Sequence, residues 1–115
     1  MSLEKYIIPE GELIEQAIEL IEYNNSRCVI VINSFNKVVG ILSEGDILRA
    51  ILKGVSIKSP VKYIMNPSFK FLLTKDDSKI IELLKRGITL IPVLNDQNEL
   101  ADIVVYKDYM GEWLN

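Results

Sequence analysis

VINSFNKVVGILSEGD, residues 31 to 46, lies without a gap over VLNDQNELADIVVYKD, residues 93 to 108. Val31 meets Val93, Asn33 meets Asn95, Asn36 meets Asn98, Ile41 meets Ile103 and Asp46 meets Asp108. Apolar positions 32, 38, 39 and 42 also fall on apolar partners at 94, 100, 101 and 104, so the pattern of burial repeats along with the identities. The chain is a duplication, and its fold is that of one unit used twice.

Working outward from that stretch gives the unit. Leu13, Ile14, Ala17, Ile18 and Ile21 share one face at helical spacing. CVIVI (28 to 32) and KVVGIL (37 to 42) are β-branched runs separated by a turn whose asparagines accept unusual backbone angles. A second helix is expected to start near Ser43, carry Ile47, Leu48, Ile51 and Leu52 inward, and stop at Gly54. The second half offers a short strand FKFLL (69 to 73) and a helix from Asp76 to about Arg86, with Ile80, Ile81 and Leu84 inward and Gly87 as its stop. Strands at LIPVL (90 to 94) and ELADIVV (99 to 105) follow, then a last helix presenting Tyr109, Met110, Trp113 and Leu114. The expectation is an α/β chain of two β-α-β-β-α repeats, 1–58 and 59–115, joined by a proline-bearing connector and packed about a pseudo-two-fold axis. Each repeat of roughly 50 residues is marginal alone, so together they form one module.

Composition narrows the chemistry. Among 115 residues, 49% are hydrophobic and 25% charged, enough for a real core. The net charge of -3 gives no global positive field to draw nucleic acid or an anionic membrane surface. No run approaches the roughly 20 apolar residues of a membrane span. The single Cys28 inside CVIVI reads as a buried, inert thiol in a reducing, cytoplasmic setting. Histidine is absent, which removes Ser-His and Cys-His nucleophile pairs and most transition-metal sites together. The chain is therefore not expected to be an autonomous enzyme.

These residues resemble the CBS (cystathionine-β-synthase) domain family, whose unit is a β-α-β-β-α repeat used in pairs. Gly40-Ile41-Leu42-Ser43-Glu44-Gly45-Asp46 fits the family's nucleotide signature of glycine, two apolar or variable residues, Ser or Thr, two variable residues, then Asp. Val61-Lys62-Tyr63-Ile64-Met65-Asn66-Pro67 is similar to the lead-in of a second repeat, and Ile91-Pro92-Val93 to its apolar-Pro-Val strand. A narrower similarity, over LSEGDILRAILKGVSIKSPVKYIMN, is to the CBS pair ahead of sugar-phosphate nucleotidyltransferase domains. Here Glu44 replaces the usual Asp and the arginine falls one place later. No glycine-rich nucleotidyltransferase loop occurs in these residues, so such a catalytic domain is expected to lie outside them.

The resemblance implies a regulatory module that binds an adenine nucleotide (AMP, ADP or ATP) between the repeats, with no cofactor required. Asp46 is the implied acceptor for the ribose hydroxyls. Ser43 and the amides opening the following helix are the implied phosphate donors. Gly40 allows close backbone approach, Ile8, Cys28 and Ile30 wall the base, and Arg27, Lys53 and Arg49 are the nearest cations in sequence. The same residues also read more plainly: Ser43-x-x-Asp46 is a variant capping box, and Arg49 belongs on a solvated helix face. In the second repeat Asp102 replaces the glycine and Val105 the hydroxyl, so only Asp108 remains of the signature and one competent site or none is expected. Tyr109, Met110 and Trp113 suggest a homodimer through helices, and a dimerising scaffold without ligand is the competing reading.

Overall fold

The computed structural model describes residues 3–114, with side chains as far as residue 110. A 3-10 turn at Glu4–Tyr6 leads into β1 (Ile7–Pro9), α1 (Ile14–Asn24), β2 (Cys28–Ile32), β3 (Val38–Ser43) and α2 (Glu44–Leu52). After the connector, which includes a 3-10 turn at Val61–Tyr63, come α3 (Asp77–Lys85), β4 (Leu90–Leu94), β5 (Leu100–Val105) and α4 (Tyr106–Leu114). β1 runs parallel to β2, β2 antiparallel to β3, and β4 antiparallel to β5 in a second sheet.

The duplication is visible in backbone detail. The Asn33 carboxamide accepts from the Phe35 and Lys37 amides, and the Asn95 carboxamide accepts from those of Gln97 and Glu99. Asn36 and Asn98 both take left-handed backbone, at φ +65° and +62°. Both hairpins carry a register shift at the same place, between Val31 and Ile32 and between Val93 and Leu94. Asparagine suits both roles because its short amide bonds its own loop and tolerates left-handed angles.

Alternation along the strands makes three apolar layers. Val29 and Val31 of β2 join Ile14, Ala17 and Ile47 beneath α1 and α2. Ile91 and Val93 of β4 join Ile80 and Leu84 beneath α3. The opposite faces of the two sheets meet in a central layer built from Tyr6, Cys28, Ile30, Leu90, Ile103 and Val105, among others. Every residue of β4 is therefore buried. The hairpins also touch at their ends, where the Val38 amide donates to the Asn98 carbonyl at 2.9 Å.

Three expectations need correction. FKFLL is no strand: Leu72 alone bridges to Val93, with Phe71 and Leu73 exposed. Pro92 of β4 stands where Ile30 stands in β2, and without an N–H it withholds a bond that a neighbouring strand needs. Leu48, Ile51 and Leu52 do not face inward; Ile47 and Ala50 are the buried residues of α2, and Leu52 is 80% exposed. One helix nine residues long contacts the sheet through a single narrow stripe, so the four apolar positions cannot all be covered from within. Ile81 is only half-buried, because Ile80 and Leu84 take the sheet-facing stripe of α3. The side chains of Trp113 and Leu114 lie outside the described residues.

The connector closes over the outer edge of β3. Asn66 and Ile41 exchange backbone bonds at 2.8 and 3.0 Å. A Cβ at Gly40 would come within 2.7 Å of Met65 Sδ and 3.1 Å of the Asn66 carbonyl. Gly40→Ala is therefore expected to destabilise the fold by about 1–3 kcal/mol through overpacking. Gly11→Ala, where no atom lies within 4 Å of the added carbon, should change little. Urea unfolding midpoints of the two variants check this.

Candidate functional site

The junction of β3 and α2 is fixed by a reciprocal cap. Ser43 ends β3 in extended backbone and its hydroxyl accepts from the Asp46 amide at 3.2 Å. Asp46 Oδ2 accepts in return from the Ser43 amide at 3.0 Å and from its hydroxyl at 2.9 Å. Arg49 Nη2 donates to Asp46 Oδ1 at 2.9 Å. Both carboxylate oxygens are thus already engaged, and the serine-aspartate pair starts the helix as a capping box does. Glu44 then turns the chain, its amide donating to the Arg27 carbonyl at 2.9 Å.

The second repeat copies this junction without the polar pair. The Tyr106 amide donates to the Thr89 carbonyl at 2.9 Å, so Val105, Tyr106 and Thr89 stand where Ser43, Glu44 and Arg27 stand. Each junction faces the helix-strand turn of the other repeat. The consequence is two related clefts, one on each side of the central layer.

The first cleft, about 500 Å³, lies between Ser43, Glu44 and Gly45 of one repeat and Lys70, Ile88 and Thr89 of the other, with Phe69 and Leu90 adding apolar wall. Arg27 and Lys70 border it as exposed cations, and neither side chain forms a hydrogen bond or ion pair among the described residues. The Ser68 hydroxyl forms no hydrogen bond among the described residues, those of Ser43 and Thr89 already donate to Asp46 Oδ2 and to the Ser26 carbonyl, and Glu44 is the one carboxylate among the lining residues. A cleft with two uncommitted cations, three hydroxyls and apolar wall is equipped to hold an anionic group attached to a flat apolar one. The second cleft, about 390 Å³, is bordered by Ser26, Arg27, Thr89, Val105, Tyr106 and Lys107.

Of the residues singled out from the sequence, Arg27, Cys28 and Ser43 border the first cleft. Asp46 and Arg49 sit on the helix just beyond it, paired to each other. Gly40 packs beneath Met65 of the connector. Ile8 and Ile30 are buried in separate apolar layers. Asp108 is exposed and borders a different depression, with Lys75 and Asp102. Asp102 pairs with Lys75 Nζ, and that bond holds its carboxyl below the usual range. Sequence reasoning missed Lys70 and Thr89. Both were within reach of the repeat alignment, as the counterparts of Ile8 and Arg27.

Cys28 packs against the ridge between the repeats, its Sγ 4.0 Å from Thr89 Oγ1, which itself donates to the Ser26 carbonyl at 2.6 Å. Burial pushes the thiol up from 9.0 to about 11, against a lowering by Thr89 and with smaller raising contributions from Asp46 and Glu44. The sulfur is a packing group.

Residues 1–53 match the CBS domain family. An uncharacterised protein of Helicobacter pylori (strain ATCC 700392 / 26695) is 37% identical over 94 residues, which are 74% of this chain and 27% of that protein. The chain thus spans about a quarter of that relative. Among solved structures, an acetoin utilization protein (AcuB) from Vibrio cholerae superposes with a TM-score of 0.83 at 20% identity, covering 96% of this chain and 83% of that one. A CBS domain protein from Pyrobaculum aerophilum, solved with AMP, gives a TM-score of 0.74 at 24% identity, covering 89% and 80%.

The thiol supplies a pH test. Below about pH 9 it is neutral in both the folded and the unfolded chain, and Cys28 adds no pH dependence. Between pH 9 and about 11 the unfolded chain releases the proton while the folded chain keeps it, so stability falls as pH rises. The loss is about 2–3 kcal/mol by pH 11. Urea midpoints at pH 8.5 and 10.5 should show a smaller fall for Cys28→Ala than for the parent.

Proposed function

Residues 1–53 are a CBS domain and the chain as a whole has the fold of a CBS-domain pair; on that premise we propose that it is a nucleotide sensor whose first inter-repeat cleft binds an adenine nucleotide. CBS domains are regulatory, non-catalytic modules. The observation that carries the ligand reading is the pair of uncommitted cations, Arg27 and Lys70, beside the Ser43 hydroxyl at the start of α2. A relative of the same fold was solved with AMP. In the proposed pose the phosphate meets Arg27, Lys70 and the Ser43 hydroxyl, which turns away from Asp46 Oδ2 while the Ser43 amide stays bonded there, the base lies against Phe69 and Leu90, and the ribose hydroxyls reach Asp46 by displacing Arg49. The signal is binding-induced movement of one repeat against the other, since a ligand favours whichever packing it contacts better. The repeats are taken as 1–58 and 59–115, and the reader of the signal is an attached or partner protein outside these residues, in the cytoplasm.

Isothermal titration with AMP, ATP and S-adenosylmethionine tests the site. Saturable binding that weakens at least tenfold in a still-folded Asp46→Ala or Lys70→Ala supports it. No heat and no thermal-shift response with any of the three would leave a scaffold that binds no adenosine compound.

The homodimer reading has its own observation. Leu48, Ile51 and Leu52 form an outward apolar stripe on α2, beside a groove of about 410 Å³ that also takes in Ile18 and Ile47. A second copy of the chain covers this stripe in the proposed assembly, which adds α2 to the last helix as a contact surface. Light scattering should give twice the chain mass for the parent and a monomer for Leu48→Glu with Leu52→Glu.

A further inference from the structure

Arg27 is the residue that folding alone explains least. Its φ is +67°. Left-handed backbone costs a non-glycine residue roughly 1–2 kcal/mol, and among the described residues the other three non-glycine positions that adopt it are asparagines. An asparagine or glycine would make the same turn with less strain. The guanidinium compensates nothing within the fold, since it is exposed and forms no hydrogen bond or ion pair among the described residues.

The strained turn is imposed by its neighbours. The Ser26 amide donates to Asn24 Oδ1 at 2.8 Å, and Asn24, only 1% exposed, is itself tied to the Cys28 carbonyl at 3.1 Å. Thr89 Oγ1 holds the Ser26 carbonyl from across the repeat interface, and the Glu44 amide holds the Arg27 carbonyl. Backbone strain so over-determined is found where a side chain is being aimed.

The aim is legible from the clefts. Arg27, Gly87 and Thr89 border both, so these two turns form the ridge between them. Lys70 belongs to the first cleft only and Lys107 to the second only. Arg27 is the cation common to both. A guanidinium offers one planar fork for bidentate contact with a phosphate, and two phosphates crowded around it repel each other.

We propose that Arg27 is a strained anion receptor shared by the two clefts, so that a phosphorylated ligand in one excludes a second from the other. This rests on the nucleotide reading above and goes beyond it: the chain holds one phosphorylated nucleotide at a time, while an uncharged nucleoside makes no claim on the ridge.

The test is titration of the full chain with AMP and, separately, with adenosine, for the parent and for Arg27→Gly, together with unfolding midpoints of both proteins. The expected result is one AMP per chain, at least tenfold weaker binding of AMP to Arg27→Gly, adenosine binding unchanged, and a higher unfolding midpoint for the variant. Two equal, independent AMP sites would overturn the sharing while leaving the nucleotide reading intact. AMP binding unaffected by Arg27→Gly, or a lowered midpoint, would overturn Arg27 as a strained receptor. If neither AMP nor adenosine binds the parent, the inference falls together with the reading on which it rests.

Discussion

The structure depends on the contact between its two sheets. Neither repeat covers its own strands on both faces: helices shield one face of β2 and β4, and the opposite faces, with Cys28, Ile30 and Leu90, are buried in the central layer that both repeats build. Apolar burial of about 25 cal/mol per Å² is the main favourable term for a chain of this size. The central layer removes from water those faces that a lone half would expose. This is why β2 and β4 read as unbroken apolar runs, where a sheet wetted on one side would alternate. Folding and pairing of the repeats are therefore one event.

The same contact places the clefts. Two hairpins packed face to face leave gaps where the strand of one unit runs into its helix and meets the turn of the other. Each cleft is consequently a crossed assembly, with the strand-helix junction of one repeat set against the helix-strand turn of its mate. The repeat alignment made the junction legible, down to Ser43 and Asp46 as a pair. It did not make the crossing legible, because sequence proximity favours partners from the same half. Ile8 and Ile30 were natural candidates for that reason, yet they lie within the apolar layers. The alignment pairs Lys70 and Thr89 with Ile8 and Arg27, but that they face the Ser43 junction of the first repeat is a matter of tertiary placement.

Elements were most legible where propensity and burial agreed, as in CVIVI and LIPVL. They were least legible where one residue decided the outcome. Pro92 removes a donor from β4 and reduces the neighbouring FKFLL to a single bridge, although its apolar content is that of a strand. On α2 the spacing of Ile47, Leu48, Ile51 and Leu52 shows an apolar helix without showing which surface covers each side. Amphipathic periodicity identifies an interface, and whether its partner is the same chain or another is a tertiary question.

The two repeats have diverged at the positions that distinguish a cap from a site. At Gly40 the absence of a Cβ admits the connector against β3, whereas Asp102 at the corresponding place bonds the Ile103 amide at 2.8 Å and pairs with Lys75. Val105 in place of Ser43 leaves α4 without a hydroxyl at its start. In the first repeat Asp46 serves the Ser43 amide and hydroxyl through one oxygen and Arg49 through the other. Arg49 is 65% exposed in its side chain, and an ion pair so wetted contributes about 1 kcal/mol or less. In the proposed pose the cap and the ligand compete unequally: a ribose diol would take the outer oxygen from Arg49 at small cost while the inner oxygen, still bonded to the Ser43 amide, keeps the helix start intact. Capping and the proposed binding are compatible uses of one carboxylate because its two oxygens face different neighbours.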